Sequence, residues 1–216
     1  MTFSSIPFLF FFFPAVMLLY FAVPGKLKNM VLLIGSLAFT LWGSPQYLPL
    51  ILLTVIMFYG CGLAIDKARN LKWKKAWMLL SVALSMALLA GFKGLNVSKL
   101  SLALPIGISF YTFRGISYTV DIYRGKVTSQ KNFITFSAFL LMFPCMMFGP
   151  IVRYTDLAAA FEKREHSWEN FFVGLRRFII GLSKSVILGG NFLLMGTFLS
   201  NSADQSVLFY WLYAFA

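Results

Sequence analysis

The chain has 216 residues, of which 59% are apolar, 18% aromatic and 12% charged, and its mean hydropathy is +0.79. A soluble domain carries about 25% charged residues, and a chain of this size in water cannot hide so much apolar surface, so lipid is the solvent for most of it. That excludes a soluble enzyme, a disordered chain and a nucleic-acid-binding domain. The net charge of +12 comes from 19 Lys and Arg against 7 acids, and these cations, set between apolar runs, mark cytoplasmic loops and anionic headgroups, with no nucleic-acid partner.

A membrane span needs about 20 apolar residues. In chain order the apolar windows are 6–23, closed by Pro24-Gly25; 30–42, ended by Gly43-Ser44-Pro45; 47–65; 76–92; 100–122; 133–152; a seventh within 178–199; and an eighth from 207. The expected fold is all-α: a polytopic integral membrane protein with transmembrane, re-entrant and interfacial helices. The first window has no basic residue before it and no small-x-small cleavage site after it, so it reads as a retained span. Cys61 and Cys145 lie inside apolar runs, where a lone thiol packs as a small hydrophobe. Asn96-Val97-Ser98 matches a glycosylation sequon, too short a pattern to carry weight.

Charge sets the sidedness. Residues 66–75 hold Lys67, Arg69, Lys72, Lys74 and Lys75 against Asp66, which makes this loop cytoplasmic. Counting outward from it, 24–28 and 124–131 are cytoplasmic, while the N-terminus, 43–46 and 93–99 lie outside. The sixth window is broken by Phe143-Pro144 and Gly149-Pro150. Proline removes a helix donor, and broken backbone is tolerated at membrane depth only where protein or water shelters it. Re-entry is therefore expected, which keeps the charged stretch 153–177 cytoplasmic. Within 168–184, Trp168, Phe171, Phe172, Leu175, Phe178, Ile179 and Leu182 form one helical stripe with Arg176, Arg177 and Lys184 off it, the pattern of a helix in the headgroup plane. Ser167 is placed to cap its start.

The polar residues of the fifth window need an explanation. Tyr111, Arg114, Tyr118 and Asp121 are spaced by three, four and three, which puts them on one face of a helix. A charge at membrane depth costs several kcal/mol unless it faces protein or water, so Arg114 points inward. Arg114 and Asp121 are roughly 10 Å apart along the axis and do not pair. Two roles are open: the stripe lines a pocket or channel, or it is structural, with Arg114 satisfying broken-helix carbonyls and Asp121 pairing with Arg124. His166, the sole histidine, sits in a charged stretch and reads as solvated. No catalytic set, metal cluster or phosphate loop can be assembled.

The stretch "LPIGISFYTFRGISYTVDIYRG" at 104–125, followed by "FPCMMFGPIVRYTDL" at 143–157 and "GLRRFIIGLSKSVILGGN" at 174–191, resembles the membrane-bound O-acyltransferase family, in the branch holding alginate O-acetyltransferases and the D-alanyl transferases of teichoic acid. The resemblance covers about residues 4–191. Arg114 and Cys145 each stand where that branch often carries Gln. The family's catalytic histidine lies downstream of these motifs and matches no residue here. Residues 1–216 are accordingly expected to be the N-terminal part of a single membrane domain, inactive alone. The resemblance implies a bacterial inner-membrane, multi-pass enzyme without a bound cofactor. It would move an acyl group, acetyl by this likeness, from a thioester (acetyl-CoA or an acyl carrier) to hydroxyls of a cell-envelope polysaccharide such as alginate, alongside other proteins of an acylation complex. Tyr111, Arg114, Tyr118, Asp121 and Arg153 are the candidates for lining its channel or contacting substrate. For Arg153 and Asp121 the choice lies between holding the re-entrant turn and meeting an anionic donor. The alternatives are a non-catalytic scaffold subunit and, since no internal repeat is visible, less readily a transporter.

The charge asymmetry makes a direct prediction: a cysteine introduced as Asn70→Cys resists an impermeant maleimide in intact cells and reacts once the membrane is permeabilised.

Overall fold

The computed structural model describes residues 3–43, 45–97, 107–146, 152–162, 164, 167–200 and 211. The described residues contain helices and turns and no strand. The chain divides into two compact units, residues 12–164 and residues 2–11 with 165–216.

The first unit contains α1 (Phe13–Ala22), α2 (Lys28–Gly43), α3 (Leu48–Lys67), α4 (Leu71–Val97), α5 (Ile108–Tyr123), α6 (Phe133–Leu141) and α7 (Tyr154–Glu162). Proline punctuates them. Pro14 and Pro49 occupy the first turns of α1 and α3, where the missing N–H is no loss, and Pro24 and Pro45 follow the ends of α1 and α2. Among the described residues three helical stretches are long and apolar enough to cross a membrane, Pro45–Lys67, Leu71–Phe92 and Trp168–Thr197, and Phe8–Ala22 and Phe133–Cys145 are shorter apolar helices.

Helices α3, α4 and α5 pack on one another; α2 packs on α1 and α6, and α6 also meets α3 and α5. Small residues set these distances. A Cβ on Gly115 would come within 2.4 Å of Phe58 Cε2 of α3, and one on Gly62 within 2.7 Å of Tyr118 Cε1. Buried hydroxyls on these faces bond within their own helices, as Ser36 to the Leu32 carbonyl (2.7 Å) and Ser85 to that of Val82 (2.9 Å), which leaves those donors met against the apolar packing. Outward, Leu18, Leu19, Ile34, Leu53, Ile56 and Leu79 are exposed, an apolar exterior suited to lipid.

The sixth window does not cross. Helix α6 has 9 residues, about 14 Å of rise against a hydrocarbon core of about 30 Å. After it come Met142 and the 3₁₀ turn Phe143–Cys145. By Tyr154 the chain is back where it left: the Gln130 side chain, three residues before α6, donates to the Tyr154 hydroxyl at 2.9 Å. Gly149-Pro150 lies outside the described residues. The basic ends also gather. Asp66, closing α3, accepts from Ser129 N and Oγ (3.3 and 2.7 Å), and Asn29, opening α2, donates to Thr135 Oγ1 at 2.9 Å. The loops at 24–28, 66–75 and 124–131 therefore share one end of this unit, as the charge count expects.

Some boundaries differ from the windows. Helix α5 begins at Ile108, not near 100, because Gly107 takes a left-handed φ of 73° that L residues disfavour; residues 98–106 are outside the described set. Helix α4 runs through to Val97, so Asn96 is helical and part of the expected outer loop is not a loop.

In the second unit, α8 (Trp168–Ser183) continues through a π turn, Lys184–Gly189, into α9 (Gly190–Ser200). Ser167 caps α8 as expected, its Oγ accepting from Asn170 N at 3.1 Å. The stripe expected to be a separate headgroup-plane helix is instead continuous with the seventh window. No proline falls between 168 and 200, and Gly190 keeps helical angles (φ −64°, ψ −46°).

Gly115→Leu, which drives a side chain into the Phe58 ring, lowers thermal stability in detergent by about 1–3 kcal/mol. Phe58→Ala in the same protein recovers part of that loss, and equal stability of Gly115→Leu and wild type would refute the packing account.

Candidate functional site

The polar stripe of α5 and the broken sixth window form one site. Helix α6 ends in apolar surroundings, and the last carbonyls of any helix lack internal partners. Arg114, 2% exposed, supplies them. Its Nη1 donates to the Phe139 and Leu140 carbonyls, both at 3.0 Å, and its Nη2 to the Cys145 carbonyl at 2.7 Å. The guanidinium Cζ also lies 5.9 Å from the Phe139 ring centroid. A cation at a helix C-terminus meets the negative end of the macrodipole, and a planar fork reaches two separate acceptor sets where an ammonium cannot. Of the two roles open for Arg114, satisfying broken-helix carbonyls is the one its geometry displays. Its Nε makes no hydrogen bond among the described residues.

Tyr118 clamps the two limbs of the excursion. Fully buried, its hydroxyl accepts from Gln130 N at 2.9 Å, and its ring lies 4.8 Å from Phe136 and edge-on to Tyr154 at 5.2 Å. The Gln130 side chain reaches both ways, donating to Tyr154 and accepting from Asn132 N at 3.0 Å. Asn132 in turn caps α6, accepting from Ile134 N and Thr135 N (2.9 and 3.3 Å).

The turn is held from α2 as well. Phe143 N donates to Ser36 Oγ at 3.1 Å, and Thr40 Oγ1 contacts Met146 Sδ at 3.4 Å. Ser36 is eight residues into α2, roughly 12 Å from its start, so the turn lies beside the middle of that helix. On the other side Gly107 lies against the Met146 carbonyl and side chain, with no room for a Cβ.

The other candidates divide. Tyr111 is fully buried, with its hydroxyl beside Thr54, whose own hydroxyl donates to the Ile51 carbonyl at 2.8 Å. Asp121 is 4% exposed, and its Oδ2 likewise has no described partner. The pairing with Arg124 left open above does not form among the described residues. Arg153 is exposed, and its carbonyl starts α7 by accepting from Asp156 N at 3.2 Å; its side chain is not drawn into the cluster. His166 lies outside the described residues. Residues 126–131, with Tyr154 and Ala158, line an open cavity of about 450 Å³ at the basic end. No group of three or more His, Cys, Asp and Glu able to hold a metal occurs among the described residues.

Sequence reasoning missed Gln130, Ser36 and Tyr154. Asn132, an Asn directly before an apolar run, carried a readable capping signal. The other three carried none, since a polar residue in a loop and a Ser inside a span are ordinary.

Comparison with known proteins bears on the same stretch. The chain is 35% identical over 206 residues to the "Probable alginate O-acetylase AlgI" of Pseudomonas syringae pv. tomato, a match covering 87% of the chain and 40% of that relative. It is 26% identical to the peptidoglycan O-acetyltransferase of Helicobacter pylori over 88% of the chain and 44% of that protein. It is 30% identical to the teichoic acid D-alanyltransferase of Bacillus subtilis over 39% of the chain and 22% of that protein. The chain thus spans less than half the length of the curated relatives it matches. No family model matches it, and no solved structure matches it significantly.

Arg114→Met strands three carbonyls at about 1–3 kcal/mol each. Thermal stability in detergent and membrane abundance are expected to fall in the order wild type, Arg114→Lys, Arg114→Met. A methionine variant as stable as wild type would show that the guanidinium does not hold the turn.

Proposed function

On the premise that the chain belongs to the membrane-bound O-acyltransferase family, we propose that it forms part of an enzyme transferring an acyl group, acetyl by likeness to the alginate O-acetylases, from a thioester donor to hydroxyls of a cell-envelope polysaccharide. The observation that carries this reading is the 35% identity across 87% of the chain. In this reading the protein is a multi-pass protein of the bacterial inner membrane, and the end bearing the basic loops faces the cytoplasm. The donor, acetyl-CoA or an acyl carrier, arrives at that end, where the cavity lined by residues 126–131 opens. Other proteins of an acylation complex serve the outer face.

Tyr111, Arg114, Tyr118 and Asp121 then wall the passage between donor and acceptor. What supports this is the distribution of unmet polarity: Arg114 Nε and Asp121 Oδ2 are buried, lie along one face of α5 and lack described hydrogen-bond partners. Buried polar atoms usually find a partner in protein or water, so such a row suits a path for water and hydroxyls. The general base is a histidine outside residues 4–191, by the family resemblance, and takes the acceptor's proton. The segment described here supplies scaffold and wall.

The test is genetic and chemical. The complete gene carrying this segment, expressed in an alginate-producing bacterium that lacks its own O-acetylase, restores ester-linked acetate on the secreted polymer. Normal membrane abundance with no ester acetate would overturn the assignment. In the same background Arg153→Ala, an exposed side chain, leaves stability within about 0.5 kcal/mol of wild type and raises the apparent KM for the thioester several-fold with kcat held. A matching fall in stability would return Arg153 to the structural role.

A further inference from the structure

The turn between α3 and α4 gathers positive charge at one point. Lys67, Arg69, Lys72, Lys74 and Lys75 all lie there, and only residues 68–70 separate the two helices. Both helices are long and apolar enough to cross a membrane, so a connection this short stays at the bilayer surface. Trp73 and Trp77 are exposed, and tryptophan favours the headgroup level, which marks the same depth. Asp66, the one acid in residues 66–75, is engaged elsewhere, its carboxylate accepting from Ser129 N and Oγ. Helix α4 has no acid in its first turn, and lysines there oppose the helix dipole. These charges therefore do nothing for the helix that carries them.

Two of the lysines continue into an apolar strip. Lys72, Lys75, Leu79 and Met86 are spaced by three, four and seven along α4, which places them on one helical face. Lys72 and Lys75 are exposed, and neither has an ion-pair partner among the described residues. Below them Leu79 is 51% and Met86 44% exposed, with Ala83 exposed between them. From Lys72 to Met86 the helix rises roughly 21 Å, against about 15 Å for one leaflet of a hydrocarbon core of about 30 Å. The strip thus runs from the headgroups through one leaflet.

The geometry points to a binding site for an anionic phospholipid on this face of α4, its phosphate at Lys72 and Lys75 and an acyl chain along Leu79, Ala83 and Met86. Charge and strip together select this occupant. An acidic soluble protein would use the lysines and leave the strip, and an apolar helix would use the strip and leave the lysines unpaired. Lys67 and Arg69 add attraction toward an anionic surface.

Native mass spectrometry of the intact protein in neutral detergent tests this, by titration with phosphatidylglycerol, phosphatidylcholine and glycerol 1-phosphate. Phosphatidylglycerol is expected to bind more tightly than phosphatidylcholine, and glycerol 1-phosphate, a headgroup without a chain, is expected not to displace it. Lys72→Gln and Lys75→Gln each weaken phosphatidylglycerol binding about fivefold, and the paired variant Lys72→Arg with Lys75→Arg keeps it. Lys126→Gln, which removes the same charge from another exposed basic loop, leaves it unchanged. Exposed substitutions of this kind change stability little, so each variant folds and reports on binding. Four results would each overturn the proposal: equal uptake of phosphatidylcholine, displacement by glycerol 1-phosphate, equal weakening by Lys126→Gln, or undiminished phosphatidylglycerol affinity when Lys72→Gln and Lys75→Gln are combined. The last is the outcome expected if protein covers this face.

Discussion

Backbone carbonyls in apolar surroundings have no water to turn to, and helix α6 ends after 9 residues. Everything around the excursion follows from how its open end is satisfied. Arg114 does so with three charge-assisted hydrogen bonds, each worth about 1.5–3 kcal/mol. Burying an ion costs several kcal/mol after relaxation. The two magnitudes are comparable, so the arrangement is not a large net gain in stability. Its consequence is mutual dependence: the guanidinium is tolerable because the carbonyls are there, and the broken helix is tolerable because the guanidinium is there.

The remaining contacts fix where that exchange takes place. Tyr118, four residues along the same face of α5, binds the limb that enters through Gln130 and the limb that returns through Tyr154. Ser36 takes the free N–H of Phe143 from the side of α2. Close approach of α5 to α3 depends on Gly115 and Gly62 having no side chain. Helix α5 therefore carries, within five residues, Arg114 for the tip of the excursion, Tyr118 for its base and Gly115 for its approach to α3. A polar stripe in a membrane helix is often taken as a channel lining. In α5 Arg114 and Tyr118 build structure through their hydrogen bonds to the excursion.

The end of the first unit that gathers the basic loops is chemically distinct from the rest. It holds the cavity along residues 126–131, the Asp66–Ser129 contact and the Lys28 and Arg164 side chains over the Tyr20 ring. The base of the excursion is part of it, one short helix away from the turn at Phe143–Cys145.

Hydropathy alone determined that this is an all-α membrane protein, because an apolar content of this size leaves lipid as the solvent. Charge counting placed three basic loops at one end, and the Pro and Gly breaks marked the sixth window as one that turns back; Ser167 as a cap was equally legible. All of these are local properties, readable within a few residues. What tertiary structure decided was which groups meet. Arg114 finds acceptors 25 to 31 residues away, and Phe143 N finds Ser36 across 107 residues. Gln130 and Tyr154 had no local signature marking them as clamps. The continuity of α8 with α9 was likewise hidden, since an amphipathic stripe followed by an apolar run reads as two elements until the backbone passes unbroken from one to the other. A hydrogen bond between distant residues depends on how helices pack, and packing is set by side-chain shape and by the gaps that glycines leave, which neither hydropathy nor charge records.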